Sequence, residues 1–221
     1  MKHANSNLDV WDNLYKNGIQ GKYPSEMLIR FINSKFHSQK NAQFLDLGSG
    51  TGRHLVYLQE NGYKCFGIEH SQLAIDIART WLDERGLQSN IKQGSIMDES
   101  LYQQGLDGII DIATLQHNTK SEIKKIIEIV YNSLKKGGYF FSMFKHPDDS
   151  LLSTGEEFDG STKKFIQTSN KHEVQALINF PNQIEVKEMF SIFSHLNLEK
   201  ISWTYKNQKE VVADWIITAK K

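Results

Sequence analysis

Residues 44 to 54 read Phe-Leu-Asp-Leu-Gly-Ser-Gly-Thr-Gly-Arg-His, an apolar run interrupted by an acid, then glycines at 48, 50 and 52, then the opening of a helical pattern. That is a strand ending in a nucleotide-binding turn. Glycine lets the backbone take positive φ and lie against a ligand, and the unpaired N–H groups at the following helix start favour a negative group. The spacing then restricts the ligand. A dinucleotide fingerprint, Gly-x-Gly-x-x-Gly, would place its third glycine at position 53, which is Arg53, whereas the extra glycine comes one residue early at Gly52. A carboxylate within the turn, Asp46, sits poorly beside a pyrophosphate and well near a ligand that carries an ammonium group.

Between residues 42 and 145 strand and helix patterns alternate, which argues for a mostly parallel sheet covered on both faces. Residues 42–47 form the first strand, and residues 52–61 a helix with Leu55 and Leu58 inward, stopped by Asn61-Gly62. Residues 64–68 are the second strand. Ser71 caps the next helix, in which Leu73, Ile77 and Trp81, and in parallel Ala74, Ala78 and Leu82, recur at four-residue steps up to Gly86. Residues 91–93 and 108–113 are the third and fourth strands. Ser121 caps a helix with Ile123, Ile126, Ile127, Val130 and Leu134 on one side, ending at Lys136-Gly137-Gly138, and residues 139–144 are the fifth strand. Residues 147–180 are polar and mixed, with one strand around 173–178, and read as a substrate-side insertion. Residues 183–195 form a helix with Val186, Met189, Phe190 and Phe193 inward, and 198–205 and 211–218 form an antiparallel hairpin.

In this order the motifs resemble those of the class I (Rossmann-like) S-adenosylmethionine-dependent methyltransferases, whose first motif runs acid-x-Gly-x-Gly-x-Gly. The resemblance spans about residue 42 to about residue 145, and a hairpin closing a parallel sheet is that family's ending. It implies an α/β fold with a doubly wound, mostly parallel seven-stranded sheet, helices on both faces and a C-terminal antiparallel hairpin. It also implies one domain over 1–221, made of a helical cap (1–40), a cofactor-binding core (41–146), an insertion (147–182) and a final helix and hairpin (183–221). S-adenosylmethionine is the implied cofactor. Trp11-Asp-x-x-Tyr15 followed by Tyr23-Pro24 is similar to the N-terminal cap of tellurite-resistance-like and related small-molecule methyltransferases.

The resemblance assigns roles residue by residue. Asp46 anchors the glycine loop and the cofactor's ammonium group, and Gly48, Ser49 and Gly50 lie against its methionine portion; the plainer reading of Asp46 is a loop-capping acid. Glu69 ends strand two, roughly 20 residues after the motif, where an acid accepts from a ribose diol, or is a surface acid. His70 packs on the adenine or is a solvated loop histidine. Ser95, followed by Ile96, stands where the family has an acid that contacts the adenine amino group; Ser95, a backbone carbonyl or Asp98 takes its place. Backbone around Ile112 accepts from the ammonium group. His117, in Leu115-Gln116-His117, matches a Leu-x-His and faces the acceptor as a proton-accepting imidazole, or is a structural histidine bonding the next helix. Trp11, Tyr15 and Tyr23 belong to a cap that closes over the cofactor, with Tyr15 and Tyr23 bordering the acceptor, or they only fix a helix to the sheet. Asp111 is isolated among isoleucines and needs a partner if buried.

Composition narrows the partners. Lys+Arg and Asp+Glu number 26 each, so there is no net field to draw in a polyanion and nucleic acid is disfavoured. No Asn-Pro-Pro-Tyr or Asp-Pro-Pro-Tyr follows strand four and no Pro-Cys pair offers a base-attacking nucleophile, which argues further against nucleic acid bases. Nor is there a His-Glu-x-x-His or a Cys/His cluster, so no metal is implied. No apolar stretch approaches the roughly 18 residues that span a bilayer, and the polar start lacks a signal core, so a cytoplasmic protein is expected. Cys65, the one cysteine, lies in an apolar strand and reads as a core thiol. The expected reaction is methyl transfer to an oxygen, nitrogen, sulfur or metalloid centre of a small molecule. The alternatives are a nicotinamide-dependent oxidoreductase and an inactive S-adenosylmethionine-binding module acting through a partner.

Overall fold

The computed structural model describes residues 4–18, 21–169 and 172–221; residues 1–3 and 19–20 of the expected cap and 170–171 of the expected insertion lie outside the described residues. Two helices come first, α1 (Ala4–Lys16) and α2 (Glu26–Phe36). The alternating core follows as β1 (Gln43–Leu47), α3 (Arg53–Glu60), β2 (Lys64–Glu69), α4 (Gln72–Glu84), β3 (Ile91–Gln93), β4 (Leu106–Ile112), α5 (Lys120–Ser133) and β5 (Leu134–Lys145). Then come β6 (Glu156–Asp159), β7 (Thr162–Ser169), β8 (His172–Asn179), α6 (Gln183–Met189) and the hairpin β9 (His195–Tyr205) with β10 (Glu210–Lys220).

Seven strands form one sheet in the order β3-β2-β1-β4-β5-β10-β9, parallel except that β10 runs antiparallel to both β5 and β9. This is the doubly wound sheet with a terminal hairpin that the alternating pattern implies. The central strands feed one apolar layer on each face. Phe44 packs on Phe36 and Tyr63 beneath α2, while Leu45 and Leu47 join the layer under α5 with Ile109 and Phe140. Each such fully buried side chain stabilises the fold by roughly 1.5–3 kcal/mol. Because β1 pairs with β2 on one side and β4 on the other, chain order reverses at the C-terminal end of β1, the place where open α/β sheets form their ligand crevice.

Helix α4 starts as the sequence implies, with the Ser71 hydroxyl accepting from the Ala74 N–H at 3.1 Å. Of its two stripes, Ala74, Ala78 and Leu82 are buried together with Ile75, and Leu73, Ile77 and Trp81 are half-buried. Three local expectations are corrected. Thr119, not Ser121, caps α5, because Glu122 three residues on completes a reciprocal capping box with it. That helix ends at Ser133, because Leu134 already pairs with Leu106 and begins β5. α6 stops at Met189, and Phe193 reaches Phe140 and Tyr131 from beyond the helix.

The insertion is a separate antiparallel sheet, β6-β7-β8, where the sequence pattern suggested one strand. Its attachment to the core is polar. Asn179, fully buried, donates from Nδ2 to the carbonyls of Gln116 (2.9 Å) and Asn118, and its Oδ1 accepts the Thr162 hydroxyl at 2.6 Å. Glu185 at the start of α6 accepts from Lys120 Nζ at 3.0 Å and from the Ser161 hydroxyl at 2.9 Å.

Candidate functional site

The glycine loop lines the crevice at the end of β1. Gly48, Gly50 and Gly52 have φ of +63°, +53° and +88°, a region that side chains with a Cβ enter only at a cost. At Gly48 space adds to conformation, since a Cβ there would lie 2.4 Å from Thr114 Oγ1. The N–H groups of Gly48 and Ser49 both donate to the Ile68 carbonyl, at 2.8 and 3.1 Å, and fold the loop back over β2. Glu69 completes the tie. Its Oε2 accepts from the Gly50 N–H at 2.8 Å and its Oε1 from the N–H groups of His70 (2.8 Å) and Ser71 (2.9 Å). Burial raises its pKa above the ordinary carboxylate value, against the pull of those three bonds. A carboxylate has about four acceptor sites, so Glu69 retains capacity for a hydroxyl donor.

Beneath the loop lies a group of unsatisfied polar atoms. Asp46 is 1 % exposed, and its Oδ2 lies 3.4 Å from Nδ1 of His54, in the first turn of α3. Asp46 Oδ2, Ser49 Oγ and His54 Nε2 are buried and make no hydrogen bond among the described residues. Buried polar atoms are almost always satisfied, so three orphans at one loop call for donors and acceptors from outside the chain. A nucleoside ligand with a cationic amino group fits this set: acceptor oxygens, a loop that only glycine can form, and an acid placed for a diol. His54 is the member that motif reasoning passed over. It closes the run from 44 to 54, and a polar residue at the second helical position behind an acid was the available signal.

The opposite rim is more open. His70 is exposed. Ser95 is also exposed, and its Oγ accepts from the Met97 N–H at 3.1 Å. Ile96 is buried and its carbonyl accepts the Tyr102 hydroxyl at 2.7 Å. Asp98 is turned into its own 3-10 turn, where bonds from the Ser100 hydroxyl and N–H hold its carboxyl below the usual range. Ile112 is half-buried at the end of β4, and Ala113 after it takes φ +63°, a strained conformation for alanine that re-aims the backbone where the strand meets the crevice.

The next turn, Leu115–His117, is held by Asp111. Its Oδ1 accepts from the N–H groups of Thr114 (3.1 Å) and Leu115 (3.0 Å), and its Oδ2 accepts the Ser142 hydroxyl. These are the partners the sequence left open. Complete burial nevertheless pushes the Asp111 pKa up to about 7. His117 Nδ1 lies 2.9 Å from the Leu177 carbonyl, which can only accept, so Nδ1 carries the hydrogen. Nε2 then accepts from the Gln116 amide at 3.3 Å. Burial, with the Lys145 charge, lowers the His117 pKa and keeps the ring neutral.

Helix α1 closes the crevice. Its Trp11 stacks on Tyr15 (6.2 Å between ring centroids) and meets the His117 ring edge-on at 5.2 Å. The Tyr15 hydroxyl lies 3.2 Å from where a Gly50 Cβ would be. Asp12 accepts the Ser71 hydroxyl. Burial, then the Glu69 and Asp12 charges, push the Tyr15 pKa up, so it stays a neutral phenol. Tyr15, His117, Glu69, Asp46 and the glycine loop thus converge on one crevice. Tyr23 does not join them. It is 84 % exposed and edges a cleft of about 490 Å³ that Thr51 of the glycine loop lines together with Ile77 and Trp81. Among the described residues, no group of three or more His, Cys, Asp or Glu side chains could hold a metal ion, and no helix is long and apolar enough to cross a membrane.

Comparison with known proteins places these features in context. Residues 44–138 match the family model described as a methyltransferase domain. A curated relative, EEF1A lysine methyltransferase 2 of Danio rerio, is 28 % identical over 137 residues, covering 53 % of this chain; the match spans 58 % of that relative's length. The 1,6-didemethyltoxoflavin-N1-methyltransferase of Burkholderia thailandensis, solved with bound 1,6-didemethyltoxoflavin and S-adenosylhomocysteine, superposes with a TM-score of 0.69 at 16 % identity, covering 100 % of this chain and 89 % of that one. TehB of Haemophilus influenzae gives 0.64 at 16 % identity, covering 95 % and 66 %. At such identities these two structures share the fold.

Proposed function

We propose that this chain, which belongs to the class I S-adenosylmethionine-dependent methyltransferases, moves a methyl group onto an oxygen, nitrogen, sulfur or metalloid centre of a small molecule. The observation that carries this reading is the roofed crevice: α1 lies over the glycine loop, with Tyr15 against Gly50 and Trp11 against His117. Aromatic walls at that distance suit a compact acceptor and exclude water. We take residues 1–221 as one methyltransferase domain, with 1–40 as its cap and 147–182 as its acceptor-side insertion.

Bound in the crevice, S-adenosylmethionine supplies a methyl group already activated on a sulfonium sulfur. The chain's contribution is therefore alignment and exclusion of water, effects that together supply roughly 7 to 11 kcal/mol. Asp46, Ser49 and the Ile112 backbone accept from the ammonium end, with Gly48 and Gly50 giving the close approach. Glu69 accepts from the ribose diol, and His70, Ser95 and Ile96 border the adenine. Tyr15, as a neutral phenol, donates a hydrogen bond near the methionine portion and walls the acceptor. His117 takes a modest rate role: its Nε2 receives a proton from the acceptor once the Gln116 amide releases it. Tyr23 reaches the acceptor only if residues 21–25 move inward.

A protein lysine is the second reading, and it rests on the Danio rerio relative. Methyl-labelled S-adenosylmethionine, incubated with the purified protein and with separated small-molecule and protein fractions of a cell extract, decides between them. Label entering the small-molecule fraction supports the first reading; label confined to lysine in the protein fraction overturns it in favour of the second.

A further inference from the structure

The orphaned atoms beneath the glycine loop point to a residue that no motif assigns. We propose that His54 is a positioning residue for cofactor binding, acting through Asp46. The inference rests on the methyltransferase reading and deepens it.

Asp46 sits at the end of β1 with Leu45 and Leu47 turned to the opposite face of the sheet, so its carboxylate enters the layer beneath α3 rather than solvent. A carboxylate there carries a large desolvation cost unless something holds it. His54 is the group in reach. It is 4 % exposed, in the first turn of α3, with Nδ1 3.4 Å from Asp46 Oδ2. That separation is longer than a formed hydrogen bond, and Asp46 Oδ2, His54 Nε2 and Ser49 Oγ are all left without partners in a buried space. A merely structural pair would be closed and satisfied. An open pair beside a ligand loop is a pair waiting for a third member. Two further ionisable groups, Cys65 on β2 and Asp111 on β4, feel the charge of Asp46 as one that raises their pKa. The thiol, its pKa raised to about 12, is neutral and Asp111 is tied to its own turn, so of these ionisable groups His54, at 3.4 Å, is the one placed to orient Asp46.

Side-chain shape gives the test. Asparagine places its amide nitrogen close to where a histidine carries Nδ1, whereas leucine fills similar space with no donor. Dissociation constants for S-adenosylhomocysteine and S-adenosylmethionine, with the melting temperature as a folding control, are compared for the full chain, His54→Asn, His54→Leu, Asp46→Asn and the double variant Asp46→Asn/His54→Leu. The expected result is that His54→Asn binds both ligands within about threefold of the parent while His54→Leu loses about tenfold or more. In the Asp46→Asn background, His54→Leu should add nothing further, because coupled residues are non-additive. Three results each overturn the proposal: unchanged binding in His54→Leu; equal losses in the asparagine and leucine variants; or a His54→Leu loss that persists in full without the Asp46 carboxylate. Absence of binding by the parent chain overturns the methyltransferase reading itself, and this inference with it.

Discussion

The two halves of the crevice are built differently. The glycine-loop half is made from one continuous run, residues 44–54, plus Glu69 and Ser71, and its contacts are mostly between backbone and backbone or a carboxylate and backbone. The half beyond β4 is assembled from segments far apart in sequence: Asn179 against Gln116 and Asn118, His117 against Leu177, Lys120 and Ser161 against Glu185, and α1 across the top. A half built of backbone is fixed by local conformation and holds what is common to a family. A half built of side chains can change its acceptor without disturbing the sheet. Substitutions should therefore separate into those that remove cofactor binding and those that leave it intact while spoiling transfer.

The sharpest separation is expected from Gly48→Val. Positive φ and a Cβ 2.4 Å from Thr114 combine strain with a clash, and cofactor affinity should fall at least roughly a hundredfold, about 2.7 kcal/mol. Calorimetry of the folded variant checks this, and near-normal affinity would erase the distinction between the halves. The mirror-image variant, Asn179→Ala, leaves the carbonyls of Gln116 and Asn118 and the Thr162 hydroxyl without their buried partner, at about 1–3 kcal/mol for a lost group. Hydrogen exchange should quicken in β7 and β8 and methyl transfer should drop, while the dissociation constant for S-adenosylhomocysteine stays within about twofold.

Asp111 joins the halves, and its pH dependence has a definite sign. Its folded pKa of about 7 lies above the unfolded value of about 4, so the folded state holds the proton more tightly. The resulting stability is fully present below about pH 4 and is lost as pH rises through about 7. Asp111→Asn does not titrate and lacks this pH dependence. Melting curves of both proteins from pH 4 to 8 should show the parent losing ground to the variant by up to a few kcal/mol across that range. A constant difference would mean that the carboxylate is ionised throughout. The smallest effect concerns Cys65, buried and hydrogen-bonded to the Leu55 carbonyl, its thiol pKa pushed up to about 12 by burial and the Asp46 charge. A thiol reagent should leave the native protein unmodified at pH 8 and react fully after unfolding.

The same contrast explains what the sequence discloses. The first half is legible because its signals are adjacent: three glycines, the acid before them, and Ser71 capping a helix of clear period. The parallel core and final hairpin follow from strand and helix alternation for the same reason. The second half is not, because no local pattern links Asn179 to Gln116 or shows that Tyr23 stays outside while Tyr15 enters. The β6-β7-β8 sheet is hidden in polar strands whose pairing is with one another. His54 stands within the most legible run, yet its role depends on a distance to Asp46 that appears only when α3 packs on β1. Thr119 was readable, since Glu122 follows it at capping-box spacing.

The most direct test of the central claim is calorimetric titration of the purified chain with S-adenosylmethionine and S-adenosylhomocysteine, with NAD as the control. Binding of both adenosyl ligands in the micromolar range, with no heat from NAD, is the predicted result. Binding of NAD, or of neither adenosyl ligand, would contradict it and mean that the glycine loop serves a different ligand.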